Sequence, residues 1–153
     1  MESGEAISSV PVAERSSTSV AWSPKGTLIA TDEEDGEIRL WNPKDLSLVR
    51  ETTPLGDGVT ELRFDPSGAV LAGAGRDGRV VLWDVKDGTQ RAVLEGHTKM
   101  VLAVAFNPSG TLLASGSDDN LAKIWDVKDA CEVRTLRGHE FGVAAVAFSA
   151  DGK

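Results

Sequence analysis

Residues 96–126 read GHTKMVLAVAFNPSGTLLASGSDDNLAKIWD, and this stretch decides the fold. Val101 to Phe106 is an apolar, β-prone run. Asn107-Pro108-Ser109-Gly110 follows as a turn, in which proline presets φ and glycine supplies a permissive position. Leu112 to Ser117 is a second run, Asp118-Asp119-Asn120 a tight turn, and Ala122 to Asp126 a third run. Just beyond, Lys128-Asp129-Ala130 turns again and Glu132 to Leu136 forms a fourth, more polar run. Four short strands joined by three short turns make an antiparallel meander. No segment carries helical periodicity.

The pattern recurs every 42 residues. Trp41, Trp83 and Trp125 are 42 apart, and so are Trp22, Phe64, Phe106 and Phe148. The turns align as Ser23-Pro24-Lys25-Gly26, Asp65-Pro66-Ser67-Gly68 and Asn107-Pro108-Ser109-Gly110, with Ser149-Ala150-Asp151-Gly152 in a fourth copy. The hairpin dipeptides Asp35-Gly36 and Asp77-Gly78 stand where Asp119-Asn120 stands. One such sheet has two faces to cover and does not stand alone. Its fourth strand is polar (Ser47 and Arg50; Gln90 and Arg91; Glu132 and Arg134), which suits an outer edge. Stacking successive sheets face to face buries the apolar side chains and yields radial blades around an axis. The fold class is therefore all-β, with four-stranded antiparallel blades.

These residues resemble the WD-repeat β-propeller family. Gly96-His97 and Trp125-Asp126 bracket the third repeat, and Gly138-His139 opens a fourth. The resemblance runs from about residue 16 to the end and implies a partial propeller over 16–153: blade 1 about 16–53, blade 2 about 54–95, blade 3 about 96–137, and the start of blade 4 about 138–153. Residues 1–15 form an N-terminal tail in which Ile7 to Val10, by the period, is expected to act as a strand d that closes the ring. The family also implies a structural hydrogen-bond set linking a strand-c Trp, a strand-b Ser or Thr, an Asp of the b–c turn and the Gly-His histidine. The third repeat matches at Trp125, Ser115, Asp119 and His97, with Ser117 on the same face as Ser115. The first keeps Trp41, Thr31 and Asp35 but has Ala13 for the histidine. The second keeps Trp83 and Asp77 but has Gly73 for the serine and Leu55 for the histidine; the fourth begins with His139. Blades one and two are accordingly expected to be less rigid than blade three.

Other features read more plainly as structure than as chemistry. His97, Ser115 and Asp119 could be taken for a nucleophilic triad, but a triad needs an exposed serine and an oxyanion hole, and these three sit beside a core Trp within the repeat. No catalytic, cofactor-binding or metal-binding residue is assigned, and no cofactor is expected. Asp32-Glu33-Glu34-Asp35 lacks the ligand spacing of a calcium loop and reads as a solvated turn or a patch for a basic partner. Gly73 to Gly78 is glycine-rich, but no helix follows to complete a phosphate cradle. Cys131 is the one cysteine, so no internal disulfide forms, which fits a reducing compartment; a cytoplasmic location is expected. The acidic start of the chain lacks the basic and apolar regions of a signal peptide.

With 24 acidic against 16 basic residues, the net charge of -8 disfavours nucleic acid and anionic membranes as partners. Family geometry places the d–a loops and b–c turns on one rim, where partner-binding candidates are Lys99, Met100, Phe141 and Gly142 from the first and Glu34, Arg76 and Asp118 from the second. Phe141 is the only aromatic outside the two periodic positions, and aromatics are enriched in binding hot spots. The functional expectation is a non-enzymatic scaffold that binds protein or peptide partners on this rim. The alternative is a regulatory or sensory propeller of a larger protein whose catalytic domain, a kinase or protease, lies outside this chain. Length alone reads as one domain, yet 153 residues are about 3.6 repeats, which predicts self-association through open propeller ends.

Overall fold

The computed structural model describes residues 19–33 and 36–152. Ile7 to Val10, Ala13, Glu34 and Asp35 lie outside them. Among the described residues, twelve strands form three four-stranded sheets. The first holds β1 (Val20–Trp22), β2 (Ile29–Asp32), β3 (Ile38–Trp41) and β4 (Leu48–Glu51). The second holds β5 (Val59–Phe64), β6 (Val70–Gly75), β7 (Val80–Asp84) and β8 (Gln90–Leu94). The third holds β9 (Val101–Phe106), β10 (Leu112–Ser117), β11 (Ala122–Asp126) and β12 (Cys131–Leu136). Each sheet pairs in sequence order and is antiparallel throughout. The chain thus forms the three blades of an open, partial propeller.

The turns obey their residues. Ser23, Asp65 and Asn107 are buried at the same repeat position, and each side chain accepts backbone N–H groups across its a–b turn: Leu28 N at 2.9 Å, Val70 N at 2.7 Å and Leu112 N at 3.0 Å. The c–d turn needs a left-handed residue. Gly88 takes it at φ 74°, while Leu46 and Ala130 take it at 57° and 51°. The ladder between strands c and d shifts register at Leu40/Trp41, Leu82/Trp83 and Ile124/Trp125, always at the periodic tryptophan. Such a shift bends the strand and re-aims a side chain.

The core lies between blades. Val80, Leu82 and Leu94 of blade 2 pack with Val101, Val104, Leu113 and Trp125 of blade 3. On the opposite face, Leu55, Leu62, Leu71, Val81 and Trp83 of blade 2 pack with Ala21, Ala30, Ile38 and Leu40 of blade 1. Burying one Leu or Val side chain contributes about 1.5–3 kcal/mol, so each joint holds its blades by apolar area first. Polar bonds then fix the stacking. Leu62 N donates to Ser19 Oγ at 2.9 Å, Val104 N to Glu61 Oε2 at 2.8 Å, and Thr60 Oγ1 to Val101 O at 2.6 Å.

One expected element departs from the pattern. Val143 to Phe148, the strand a of a fourth blade, joins no ladder among the described residues. It lies against blade 3 instead, with Val143 N donating to Ser117 O at 2.9 Å.

Candidate functional site

The third blade brings its four polar residues together. Trp125 Nε1 donates to Ser115 Oγ at 2.8 Å. His97 Nε2 meets the same hydroxyl at 2.8 Å, and His97 Nδ1 meets Asp119 Oδ2 at 2.9 Å. Asp119 also accepts from Thr98 N and Leu121 N, each at 3.0 Å. Burial pushes the His97 imidazole below its ordinary value, against the opposing pull of Asp119, so the neutral ring is favoured. Burial would raise Asp119, but its bonds from Thr98 N, His97 and Leu121 N together outweigh that and hold the carboxyl below its ordinary value.

These protonation states give the set one direction. An ionised Asp119 accepts from Nδ1–H of a neutral His97, whose bare Nε2 accepts a hydrogen bond from the Ser115 hydroxyl, leaving the serine oxygen to accept from Trp125 Nε1–H. Ser115 is 0% exposed, so no substrate reaches its oxygen. Ser117 braces the turn instead, since its hydroxyl donates to Lys99 O at 3.1 Å and accepts from Asp119 N at 3.1 Å.

The second blade solves the same problem with other residues. Trp83 Nε1 donates to Thr53 O and Thr53 Oγ1, both at 3.1 Å, in place of a strand-b hydroxyl. Leu55, 1% exposed, fills the histidine's place. Asp77, expected to bind the missing histidine, instead accepts from Arg79 Nε at 2.7 Å, while Arg79 Nη2 reaches Leu55 O at 3.1 Å. The expectation of a loosened blade rested on orphaned polar groups, yet no buried side-chain N or O among the described residues lacks a partner. In the first blade, Trp41 Nε1 donates to Thr31 Oγ1 at 2.9 Å. His139, expected in the set of the fourth repeat, is exposed and makes no side-chain hydrogen bond among the described residues.

The b–c turns and d–a loops do share one rim, tied together by backbone bonds. Leu55 N donates to Gly36 O at 2.9 Å, Arg76 N to Gly58 O at 3.2 Å, and Asp118 N to Met100 O at 3.0 Å. Asn120 Nδ2 reaches Glu140 O at 3.1 Å. Lys99, Met100, Asp118, Phe141 and Gly142 therefore cluster on the rim where blade 3 meets the segment that follows it, and Arg76 sits one step round. Phe141 is 80% exposed, Met100 half-buried, and Lys99, Arg76 and Asp118 exposed. Of the acidic stretch, Asp32 accepts from Ser19 N at 2.7 Å and Glu33 pairs with Arg39 at 3.1 Å, so both have structural work. Gly73 lies in β6 against Trp83, and Cys131 is exposed and unpaired.

Sequence reasoning missed Thr53, Arg79, Ser19 and Glu61. For Ser19 and Glu61 a signal existed: polar residues at a position the third repeat gives to Ala103. Lys123 was also missed. It is buried against Trp125, with its ammonium 5.9 Å from the ring centroid, and it donates to Glu132 at 2.6 Å and Thr135 at 2.9 Å. That ammonium, with Thr135, holds the Glu132 carboxyl below its ordinary value.

Comparison with known proteins agrees with this architecture. The family described as WD domain, G-beta repeat matches residues 8–42, 49–84, 88–126 and 130–153. No curated protein matches the sequence. Among solved structures, that of U3-55K superposes with a TM-score of 0.82 at 25% identity, covering 88% of this chain and 43% of that one. The crystal structure of the RRP9 WD40 repeats gives a TM-score of 0.82 at 25% identity, covering 88% of this chain and 42% of that one. The chain thus spans less than half the length of these structural relatives. Domains of this repeat generally scaffold protein interactions, and no enzyme family is indicated. By motif, blade topology and superposition, the chain belongs to the WD-domain, G-beta repeat family.

Proposed function

We propose that this chain is a non-enzymatic interaction module whose protein or peptide partners dock on the rim of b–c turns and d–a loops. The carrying observation is a platform whose backbone repeats while its exposed side chains do not. The Arg76 N–Gly58 O bond of blade 2 recurs as Asp118 N–Met100 O in blade 3, yet the equivalent positions carry Arg76 and Asp118 in the b–c turns and Asp57, Lys99 and Phe141 in the d–a loops. A constant frame with varied side chains suits specific recognition, and an aromatic that is 80% exposed suits an anchor. The net charge of -8 favours a protein over nucleic acid or an anionic membrane. A single exposed thiol is compatible with the cytoplasm.

Photo-crosslinkers at Lys99 and Phe141, compared with Lys44 and Lys86 on the opposite rim, test the reading. A defined set of protein adducts from the first pair only, lost in a Phe141→Ala chain carrying the crosslinker at Lys99, supports it. Equal adducts from both rims, or none, overturn it.

A further inference from the structure

Two cations stand side by side on the rim at the internal joint between blades 2 and 3. The b–c turn of blade 2 runs Gly75-Arg76-Asp77-Gly78 and closes with Gly78 N donating to Gly75 O at 3.3 Å. Gly78 is buried against the next d–a loop, where a Cβ on it would stand 3.0 Å from His97 O and 3.0 Å from Lys99 O. That close approach brings Arg76, two residues back in the turn, beside Lys99 of the loop. The loop is braced as well, since Lys99 O accepts from Ser117 Oγ at 3.1 Å. Arg76 and Lys99 are exposed, and neither side chain has an ion-pair or hydrogen-bond partner among the described residues.

The acids closest to this pair are engaged elsewhere. Asp77 accepts from Arg79 N at 3.0 Å and from Arg79 Nε at 2.7 Å. The Arg79 guanidinium is held above its ordinary value first by Asp77, with Glu95 and Asp57 adding to the pull. Asp119 is taken up by His97, Thr98 N and Leu121 N. The rim therefore carries a doubly positive spot on a chain whose net charge is -8.

We infer that Arg76 and Lys99 together receive two neighbouring carboxylates of an acidic peptide segment, so that an acidic stretch is the part of the partner this rim recognises. The inference rests on the rim reading above and gives it a partner chemistry. Arginine forks two parallel bonds onto one carboxylate, and lysine supplies a compact charge for the next. Both groups sit on a turn and a loop already fixed by backbone contacts, so little ordering opposes binding. The bonds from Arg76 N to Gly58 O and from Asp118 N to Met100 O place the acidic residues Asp57 and Asp118 on either side of the pair. A short acidic segment touches the two cations alone, whereas a nucleic acid would also press its phosphates against those flanking carboxylates.

The test titrates the full chain into a fluorescein-labelled peptide of alternating Asp and Glu, with an Asn-Gln peptide of the same length and an oligothymidylate of the same charge beside it. The expected result is binding of the acidic peptide alone, weakened roughly fivefold as salt rises from about 50 to 300 mM. Arg76→Glu and Lys99→Glu should each weaken it about tenfold. Lys44→Glu and Lys86→Glu change the net charge equally on the opposite rim and should leave it unchanged. No binding of the acidic peptide, equal binding of the oligothymidylate, or equal losses from the two rims overturns the inference. The crosslinking assay separates it from the rim reading. Adducts at Phe141 that survive Arg76→Glu combined with Lys99→Glu overturn the acidic partner and leave the rim in place, whereas a rim without adducts in the unaltered chain overturns the rim itself. Circular dichroism of each variant separates these results from misfolding.

Discussion

Serine at 115 and threonine at 31 bind their blade tryptophans, so the repeat pattern alone says that Gly73→Ser should give Trp83 its missing partner and stabilise blade 2. The structure says the opposite. A Cβ at Gly73 would stand 2.7 and 2.9 Å from two ring carbons of Trp83 and 3.2 Å from Leu55 Cδ1. Ordinary carbon contacts lie at about 3.5–4.0 Å. Trp83 cannot retreat, because its ring is fully buried and its N–H is held by Thr53. The new hydroxyl would also face Leu55 where blade 3 offers a histidine. Overpacking costs about 1–3 kcal/mol and an unsatisfied hydroxyl about 1–3 kcal/mol more. With a urea slope of about 1–3 kcal/mol per M, the midpoint should fall by roughly 1 M or more. Urea titration followed by tryptophan fluorescence reads this directly, with Gly73→Ala isolating the packing part. An unchanged or higher midpoint for Gly73→Ser refutes the reasoning, and Leu55→His added to Gly73→Ser should recover part of the loss.

Three further outcomes follow from particular contacts. Because burial depresses the His97 pKa in the fold, the unfolded chain takes up a proton that the folded one refuses; stability is full above about 6.5 and should decline as pH falls below it, which thermal melts between pH 8 and 5 would show. Glu61→Ala removes the acceptor of Val104 N at 2.8 Å and should lower stability by about 1–2 kcal/mol, while Glu61→Gln retains most of it; equal loss from both would contradict an acceptor role. Gly88→Ala combines a left-handed φ of 74° with a Cβ only 2.7 Å from Glu51 O, and should destabilise by about 1–3 kcal/mol in the same urea assay.

The blades were legible in the sequence because a meander is local. Turn residues at Asn107-Pro108-Ser109-Gly110 and alternating apolar runs specify strands without reference to distant contacts, and β9, β10 and β11 begin and end where the pattern places them. The third-blade site was legible for the same reason, since Trp125, Ser115, Asp119 and His97 keep their repeat spacing. Substitution in blade 2 was not. Leu55 and Gly73 signal a loss at their own positions, but the replacement comes from Thr53 and Arg79, which only three-dimensional packing brings to Trp83 and Asp77. Joint contacts such as Glu61 to Val104 N were hidden as well, because they span 43 residues and no local pattern marks a backbone donor on the next blade. Val143 to Phe148 shows the complementary limit: a strand-like run becomes a strand only when something pairs with it.

The His97–Ser115–Asp119–Trp125 set is a buried frame for the rim rather than a reacting centre, and nitrogen NMR of His97 across the pH range tests that most directly. A neutral ring at pH 7 protonated on Nδ1, titrating below 6.5 and insensitive to a serine-reactive phosphonate, is the predicted result. A ring protonated on Nε2, charged at neutral pH, or perturbed by covalent modification of Ser115 would contradict it.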